Sequence, residues 1–380
     1  MTAFNLEAAT KLAATGGLSD VQRQAVERSG QISIPTAAEE IWRYSRIAEL
    51  DLSAYVPALD DVTVTGGAAL VSTDVAANEL AGSRDLFDEL NAAFSRPIFI
   101  RVPKGTVLTE PITLEHRLTE SGVATFPRLI IEAGEDSEFS VVERFSSDDD
   151  IAALTVPSVE LRIAQSARVK YLSINELGKK SWMIAHQRAD ADRDSSTLLA
   201  TVSLGGDYAR VRTDAVAVGI GADVRQIALY FADGTQMHDF RTMQKHSAPK
   251  TSSNLLFKGA VNDTARSVYT GLIRIDKNAK GTVAFQTNRN LTLSAGAWAE
   301  SVPNLDIETN DVKCSHASTV GPVDADQRFY LESRGVPPEV AERLIVLGFF
   351  DEVLEQLPDT PLTEGLRAKV AAKLDKRVNS

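Results

Sequence analysis

The hydrophobic pattern changes its period twice along the chain, and the changes divide the sequence into three regions. Residues 1–95 carry short apolar segments broken by loops, whereas in residues 96–319 apolar positions alternate with polar ones. Residues 320–380 return to a helical spacing. A period of two is typical of strands with one buried face, and spacings of three and four are typical of helices. The pattern predicts an N-terminal helical region (1–95), a β core (96–319) and a C-terminal helical domain (320–380).

The β core consists of short alternating runs separated by turn signals. Such runs lie at 159–163, 283–286, 291–294 and 305–308. In the second run the apolar set is Val283 and Phe285, which predicts that these two side chains form the buried face. Many short strands without a helical interval suit a sandwich, a propeller or a β-helix. Since no fixed propeller or leucine-rich repeat is present, the sequence favours a loosely periodic β-solenoid, with a sandwich as the main alternative.

Capping residues predict two helices in the N-terminal region. Thr36 is followed three residues later by Glu39, a capping-box spacing that predicts a helix starting at Thr36. A second helix is predicted from Asp85 to Phe94, and it should stop before Pro97.

The C-terminal domain predicts three short amphipathic helices. Asp324 and Gly335 bound the first, whereas Pro338 opens the second and Gly348 ends it. The apolar stripes consist of Val340, Leu344 and Leu347 in the second helix and of Leu366, Val370 and Leu374 in the third. Three short helices make a small core, so we expect the stripes to pack against the β core or a partner.

Composition and charge narrow the possible partners and compartments. The net charge of −12 leaves no basic surplus for a nucleic-acid backbone. The chain has neither a long apolar run nor a secretory pattern at its start, so we expect no membrane segment and no secretion. The single cysteine, Cys314, cannot form an internal disulfide, and we expect a reducing cytoplasm. A lone cysteine also cannot hold an iron–sulfur cluster unless other groups complete the ligand set.

Motifs of common enzymes are missing from the sequence. There is no phosphate-binding loop, no H-E-x-x-H motif and no G-x-S-x-G motif. A β-helix enzyme that cleaves carbohydrates stays an alternative, because that chemistry needs only two carboxylates facing a sugar cleft. The expectation is a protein that is not an enzyme by itself.

The histidines and the cysteine are the candidate metal ligands. His238 and His246 lie eight residues apart, and structural roles are commoner for such a pair than metal binding. Cys314 and His316 are two apart, so on a strand their side chains share a face about 7 Å apart. From spacing alone, a buried cysteine beside an unrelated histidine is the simpler interpretation.

Several segments resemble a known family. The segments are Thr287-Asn288-Arg289-Asn290-Leu291, Asp311-Val312-Lys313-Cys314-Ser315-His316, the stretch 326–335 with its F-Y-L-E-S-R-G sequence, and Glu40-Ile41-Trp42-Arg43-Tyr44-Ser45. Together they resemble the SufB/SufD family of iron–sulfur cluster assembly scaffolds. Within that family, the D-V-K-C-S-H sequence favours the SufD type over the SufB type, which carries a glutamate-rich sequence at this place.

The resemblance implies a fold and a set of partners. The expected fold is mainly β, a right-handed parallel β-helix with helical N- and C-terminal regions. The expected partners are a SufB-type chain, paired through the β-helix, and a SufC-type ABC ATPase, docked on the C-terminal helices through Val340, Leu344 and Leu347. A homodimer is possible in isolation, and a SufB-like homo-oligomeric scaffold is the alternative.

The resemblance also implies a site. It places Cys314 and His316 at the interface between the two scaffold chains, as metal ligands shared with the partner. The chain alone is expected to bind no cofactor stably, and a transient iron–sulfur cluster is expected in the complex. The use of a flavin is left open.

Overall fold

The computed structural model describes residues 3–13, 17–73 and 85–378. The helices are α1 (Leu6–Leu12), α2 (Asp20–Ser29), α3 (Leu86–Phe94), α4 (Ala325–Ser333), α5 (Pro338–Leu354), α6 (Pro361–Glu364) and α7 (Leu366–Val378), with short 3-10 turns at Glu40–Trp42, Ile47–Glu49, Leu52–Ala54 and Ala68–Leu70. The strands are β1 (Val56–Ala58), β2 (Val62–Thr65), β3 (Val71–Ser72), β4 (Ile98–Val102), β5 (Ile112–Leu118), β6 (Val123–Thr125), β7 (Arg128–Ala133), β8 (Glu138–Ser147), β9 (Leu154–Thr155), β10 (Ser158–Ile163), β11 (Arg168–Glu176), β12 (Trp182–Ala191), β13 (Ser196–Ser203), β14 (Tyr208–Ala217), β15 (Asp223–Ala232), β16 (Met237–His246), β17 (Ser252–Val261), β18 (Arg266–Ile275), β19 (Thr282–Thr292), β20 (Trp298–Ile307) and β21 (Val312–Gly321).

The strands form a parallel β-solenoid. The chain forms a twelve-stranded sheet that ends at β20 and a nine-stranded sheet that ends at β21. From β10 to β21, successive strands belong alternately to the first and the second of these sheets. Each strand pairs in parallel with the strand one turn later, as Ser196 does with Asp223 and Asp223 with Ser252. The predictions of a mainly β chain, of a parallel β-helix core and of helices at both ends are confirmed.

The interior of the early turns is apolar, as the alternation predicts. Val159, Leu161 and Ile163 are buried in a cluster that also holds aliphatic side chains of the facing sheet. Parallel pairing without an offset stacks equivalent positions of successive turns, so each buried row continues along the solenoid. At the corners, Asp136 and Asp194 adopt the left-handed conformation (φ 57° and 53°), which aspartate tolerates better than most residues.

The facing of β19 is the reverse of the prediction. Gln286 and the two motif asparagines point into the solenoid and are buried, whereas Phe285 is exposed on the outer face. The prediction that Val283 and Phe285 form the buried face is therefore wrong. The register with β17 fixes the facing of the whole strand, and a strand can only present its odd or its even positions to the interior.

The N-terminal region covers the outer face of the twelve-stranded sheet. Helix α3 occupies the predicted position, with Asp85 as its N-cap. The helix predicted from Thr36 is absent: the Glu39 side chain accepts a hydrogen bond from the Thr36 N–H at 2.9 Å, but only a 3-10 turn follows. The region also contains β1 to β3, and residues 1–2, 14–16 and 74–84 of it lie outside the described part of the chain.

The C-terminal helices pack on the outer face of the nine-stranded sheet. Leu366, Val370 and Leu374 are buried there with Phe350, which confirms that the α7 stripe faces the β core. Asp324 and Gly335 bound α4 as predicted, but α5 continues past Gly348 to Leu354, so the predicted end is wrong. Packing of the later turns of α5 outweighs the low helix propensity of one glycine. Within the described residues, each helix is too short or too polar to cross a membrane.

Candidate functional site

The solenoid ends in two strands that have a free edge. β20 is the last strand of one sheet and β21 the last strand of the other, and no described strand pairs with their outer sides. Each strand is ten residues long, and Leu305, Ile307 and Val320 are exposed on them. Long edge strands with apolar side chains readily pair with a further strand, and natural monomers usually protect them. This end of the molecule therefore offers an edge to which a further strand can add.

Cys314 and His316 lie side by side on β21 at this end. β21 pairs with β19 so that Ala284 is opposite Cys314 and Gln286 is opposite His316. Both side chains therefore share the face directed towards the solenoid axis, as the sequence predicts. Cys314 is partly covered by Ile273 and its neighbours, and this burial raises the pKa of the thiol. His316 is exposed.

Gln286 lies under His316 and was not singled out by sequence reasoning. Its side chain is buried, and neither amide atom has a hydrogen-bond partner in the described part of the chain. The glycine at position 271 makes room for it, because a Cβ there would lie 2.4 Å from the Gln286 Nε2. The floor of the site thus offers an amide NH2 group and a carbonyl oxygen that no described residue satisfies.

The T-N-R-N-L segment at residues 287–291 builds the adjacent floor. Asn288 donates to the Tyr230 hydroxyl at 3.0 Å, and that hydroxyl donates to the Asn290 Oδ1 at 2.6 Å. Asn290 in turn donates to the Asn288 Oδ1 at 2.7 Å. All three side chains are buried. Asn288 and Asn290 of β19, the strand next to β21, thus form a closed polar network with Tyr230 of β15.

The chain brings together too few ligands for a metal site of its own. Across the described residues there is no group of three histidine, cysteine or carboxylate side chains placed to hold a metal ion. Cys314 and His316 supply two groups, and a covering chain would have to add the others. His238 and His246 are buried in the solenoid interior, where burial lowers their pKa to about 3 and about 4. His238 hydrogen-bonds to a backbone carbonyl and His246 to two hydroxyls, so both have structural partners.

Two other histidines join the N-terminal region to the solenoid. His116 contacts Asp60 through Nδ1 at 2.6 Å and Glu143 through Nε2 at 2.9 Å. Burial alone would lower the pKa of His116, but the two carboxylates outweigh burial and raise the pKa to about 10. His186 bridges Asp88 and Asp214 in the same way, at 2.8 and 3.2 Å, and its pKa is raised to about 9. Each imidazolium therefore holds a carboxylate of the N-terminal region against the solenoid.

These two imidazolium bridges predict a loss of stability at high pH. A histidine with a raised folded pKa stabilises the fold fully below its unfolded pKa of about 6.5, and this stability is lost as the pH rises through 9 and 10. We expect the double variant His116→Gln, His186→Gln to be less stable than the parent at pH 6, by ~2 kcal/mol or more. Urea unfolding at a series of pH values should show the difference shrinking towards zero by about pH 10.5. A difference that stays constant with pH would contradict the charged bridges.

The predicted ATPase-docking residues do not all face the same surroundings. Val340 and Leu344 are exposed (45% and 50%), whereas Leu347 packs in the cluster between α5 and the nine-stranded sheet. On the neighbouring helix α4, Phe329 and Tyr330 are also exposed. The exposed apolar surface of the C-terminal helices thus consists of Phe329, Tyr330, Val340 and Leu344, and Leu347 fixes α5 to the core.

The fold defines the class of the protein: a parallel β-solenoid whose last two strands, β20 and β21, have a free edge in the described part of the chain. Comparison with known sequences gives the family. The family model described as SUF system FeS cluster assembly, SufBD core domain, matches residues 116–349. The chain belongs to this family.

Two relatives illustrate the similarity. The chain is 30% identical over 360 residues to an iron–sulfur cluster assembly SufBD family protein of Mycobacterium tuberculosis. The aligned region covers 90% of this chain and 90% of that protein. The chain is 30% identical over 332 residues to the iron–sulfur cluster assembly protein SufD of Escherichia coli, covering 85% of this chain and 77% of that protein. The resemblance to SufD found in the sequence is confirmed.

Proposed function

We propose that the chain is the SufD-type scaffold subunit of a SUF complex, in which it pairs with a SufB-type chain and docks a SufC-type ATPase. The iron–sulfur cluster is the cargo of this complex, and the chain by itself is neither an enzyme nor a stable cluster carrier. The proposal includes a reducing, cytoplasmic compartment, in which the single thiol of Cys314 stays reduced.

One observation carries the proposal: β21, whose outer side has no partner among the described strands, presents Cys314 and His316 at the open end of the solenoid. A strand from another chain that continues the sheet would lie about 4.8 Å away and cover both side chains. Residues of that strand could then add further ligands to Cys314 and His316, the two that this chain supplies. The geometry of the contact between the two chains would then determine how iron and sulfide reach this site and how the cluster leaves it.

The exposed apolar surface on α4 and α5 supports the second part of the proposal. Val340 and Leu344 lie on α5, whose opposite side is anchored to the nine-stranded sheet, and Phe329 and Tyr330 lie on α4, which packs against α5. A cluster of large exposed apolar side chains on a fixed helical surface is typical of a protein-binding site. We assign this surface to the ATPase.

The alternatives differ in what covers the open end. A homo-oligomeric scaffold would pair this end with a second copy of the same chain, and its purified form would be a stable dimer in the absence of a SufB-type chain. A carbohydrate-cleaving enzyme would need two free carboxylates in a cleft. Asp60 and Glu143, which lie close together, are both bound to His116 instead.

The isolated chain should be colourless and should bind no stoichiometric cluster. It has one thiol, whose pKa is raised by burial, and one neighbouring imidazole, which is too few ligands for a stable cluster. Anaerobic reconstitution with iron and sulfide, followed by desalting, should leave less than 0.1 cluster per chain by absorbance and by iron analysis, a threshold on the order of background loading.

Co-expression with SufB-type and SufC-type chains is the matching test. The three chains should co-purify and should yield a complex that acquires iron and sulfide under the same reconstitution. A stable stoichiometric cluster on the single chain, or no association with either partner, would count decisively against the proposed function.

A further inference from the structure

The segment Glu40–Arg46 lies across the outer face of the twelve-stranded sheet and is fixed there by side chains of the solenoid. Trp42 is buried, with the Arg210 guanidinium 3.9 Å from the centre of its ring. Arg210 donates to the Ile41 carbonyl, and Arg241 donates to the Arg43 carbonyl. Arg46 forms an ion pair with Asp207 at 3.0 Å. The backbone on both sides of Tyr44 is thereby held in place.

Tyr44 itself has an unfavourable backbone conformation. Its φ angle is 66°, in the left-handed region that residues with a large side chain rarely adopt. The usual reason for such a conformation is that the surrounding contacts impose it, and these residues cluster at functional sites. The conformation directs the Tyr44 ring away from the core, since the side chain is 45% exposed.

The Tyr44 ring lies against the last strand of the sheet. Its centre is 6.2 Å from that of Trp298, the first residue of β20, which is 37% exposed. Trp298 pairs with Arg266 of β18 on one side, and no described strand pairs with it on the other. The two rings therefore form an exposed aromatic pair at the start of the free edge.

We infer that Tyr44 and Trp298 are an anchor for the chain that pairs with β20. The inference rests on the proposed function and adds the N-terminal segment to the pairing surface. The free main-chain groups of β20 call for a strand as the occupant, and the next strand would place a side chain about 4.8 Å from Trp298. That partner side chain packs against the two rings, because tyrosine and tryptophan at the margin of a strand edge supply large contact areas with little loss of conformational freedom. The occupant is a second β-solenoid chain of the SufB type.

The test measures pairing affinity between the full-length chain and its SufB-type partner from the same genome, by calorimetry or interferometry. Tyr44→Gly removes the ring and suits a positive φ, so it should leave the melting temperature of the isolated chain unchanged or raised. We expect Tyr44→Gly and Trp298→Ala each to weaken pairing about tenfold, and the double variant to lose less than the product of the two effects, because the rings act together. Tyr44→Phe should pair as the parent does.

Two further variants separate this inference from the proposed pairing itself. Leu305→Lys with Ile307→Lys places charges on the β20 edge and should abolish pairing. Ile220→Ala, an exposed apolar residue on a turn away from the edge, should change nothing. If the lysine variant blocks pairing while Tyr44→Gly and Trp298→Ala pair normally, the aromatic anchor is wrong and the pairing stands. If the lysine variant pairs normally, both are wrong.

Discussion

His316→Ala should abolish iron–sulfur cluster maturation in cells while leaving the assembled complex intact. The residue is exposed at the open end of the solenoid, so its truncation removes no packing from the chain. An imidazole is a competent iron ligand or proton acceptor, and an alanine methyl group is neither. The measurement is the activity of a cluster-dependent reporter enzyme in cells whose only assembly system carries the variant.

The control for this substitution lies next to it on the same strand. Ser315 is opposite Phe285 on the outer face of β21, so Ser315→Ala should mature clusters normally. If His316 only donates a hydrogen bond to the partner, its loss costs ~1 kcal/mol of complex stability and maturation survives. Normal maturation by an intact His316→Ala complex would therefore refute a chemical role for this histidine.

Val340→Asp combined with Leu344→Asp should abolish ATPase binding without unfolding the chain. Burial of one such aliphatic side chain in an interface contributes about 1.5–3 kcal/mol, and each 1.4 kcal/mol is a tenfold change in affinity. Two charges placed in the contact should thus weaken SufC-type binding by about 100-fold or more. Size-exclusion co-elution and a titration of the isolated pair would measure this loss.

A matched control uses an exposed apolar residue that lies elsewhere. Val218 is exposed on the turn after β14, and Val218→Asp should bind the ATPase normally. The isolated double variant should melt as the parent does, because Val340 and Leu344 are half exposed. Unchanged ATPase affinity in the double variant would show that the dock lies on another surface. Deletion of the helices is a poorer test, since it would uncover the buried face of the nine-stranded sheet.

Local signals in the sequence predicted the structure correctly where a residue's hydrogen-bond partners lie only a few positions away in the chain. Asp85 and Asp324 cap α3 and α4 as their positions predict, because a cap accepts hydrogen bonds from N–H groups two and three residues away. The same holds for the shared face of Cys314 and His316, which follows from their spacing on one strand. Family resemblance then gave these two side chains a role that their spacing alone did not.

Local signals gave a wrong helix where side chains from distant parts of the chain bind the backbone carbonyls that a helix would use. The capping-box spacing of Thr36 and Glu39 forms its first hydrogen bond, yet the carbonyls of Ile41 and Arg43 accept from Arg210 and Arg241 instead of continuing a helix. These arginines lie 169 and 198 residues further along the chain. Their position relative to the segment follows from the stacking of the solenoid turns, which no local pattern encodes.

The sequence by itself determined the class of fold, most helix positions and the family, because periodicity, caps and motif wording are local properties of the chain. Only the tertiary structure decided which face of β19 is buried, that α5 continues past Gly348, and that Leu347 packs inward while Val340 and Leu344 stay exposed. It also placed Gln286 beneath His316 and Tyr44 beside Trp298. The facing of β19 and the position of Gln286 depend on the register between turns about 30 residues apart, and register is fixed by the packing of the whole solenoid rather than by any one strand. The length of α5, the burial of Leu347 and the contact between Tyr44 and Trp298 depend on packing between segments that lie far apart in the chain.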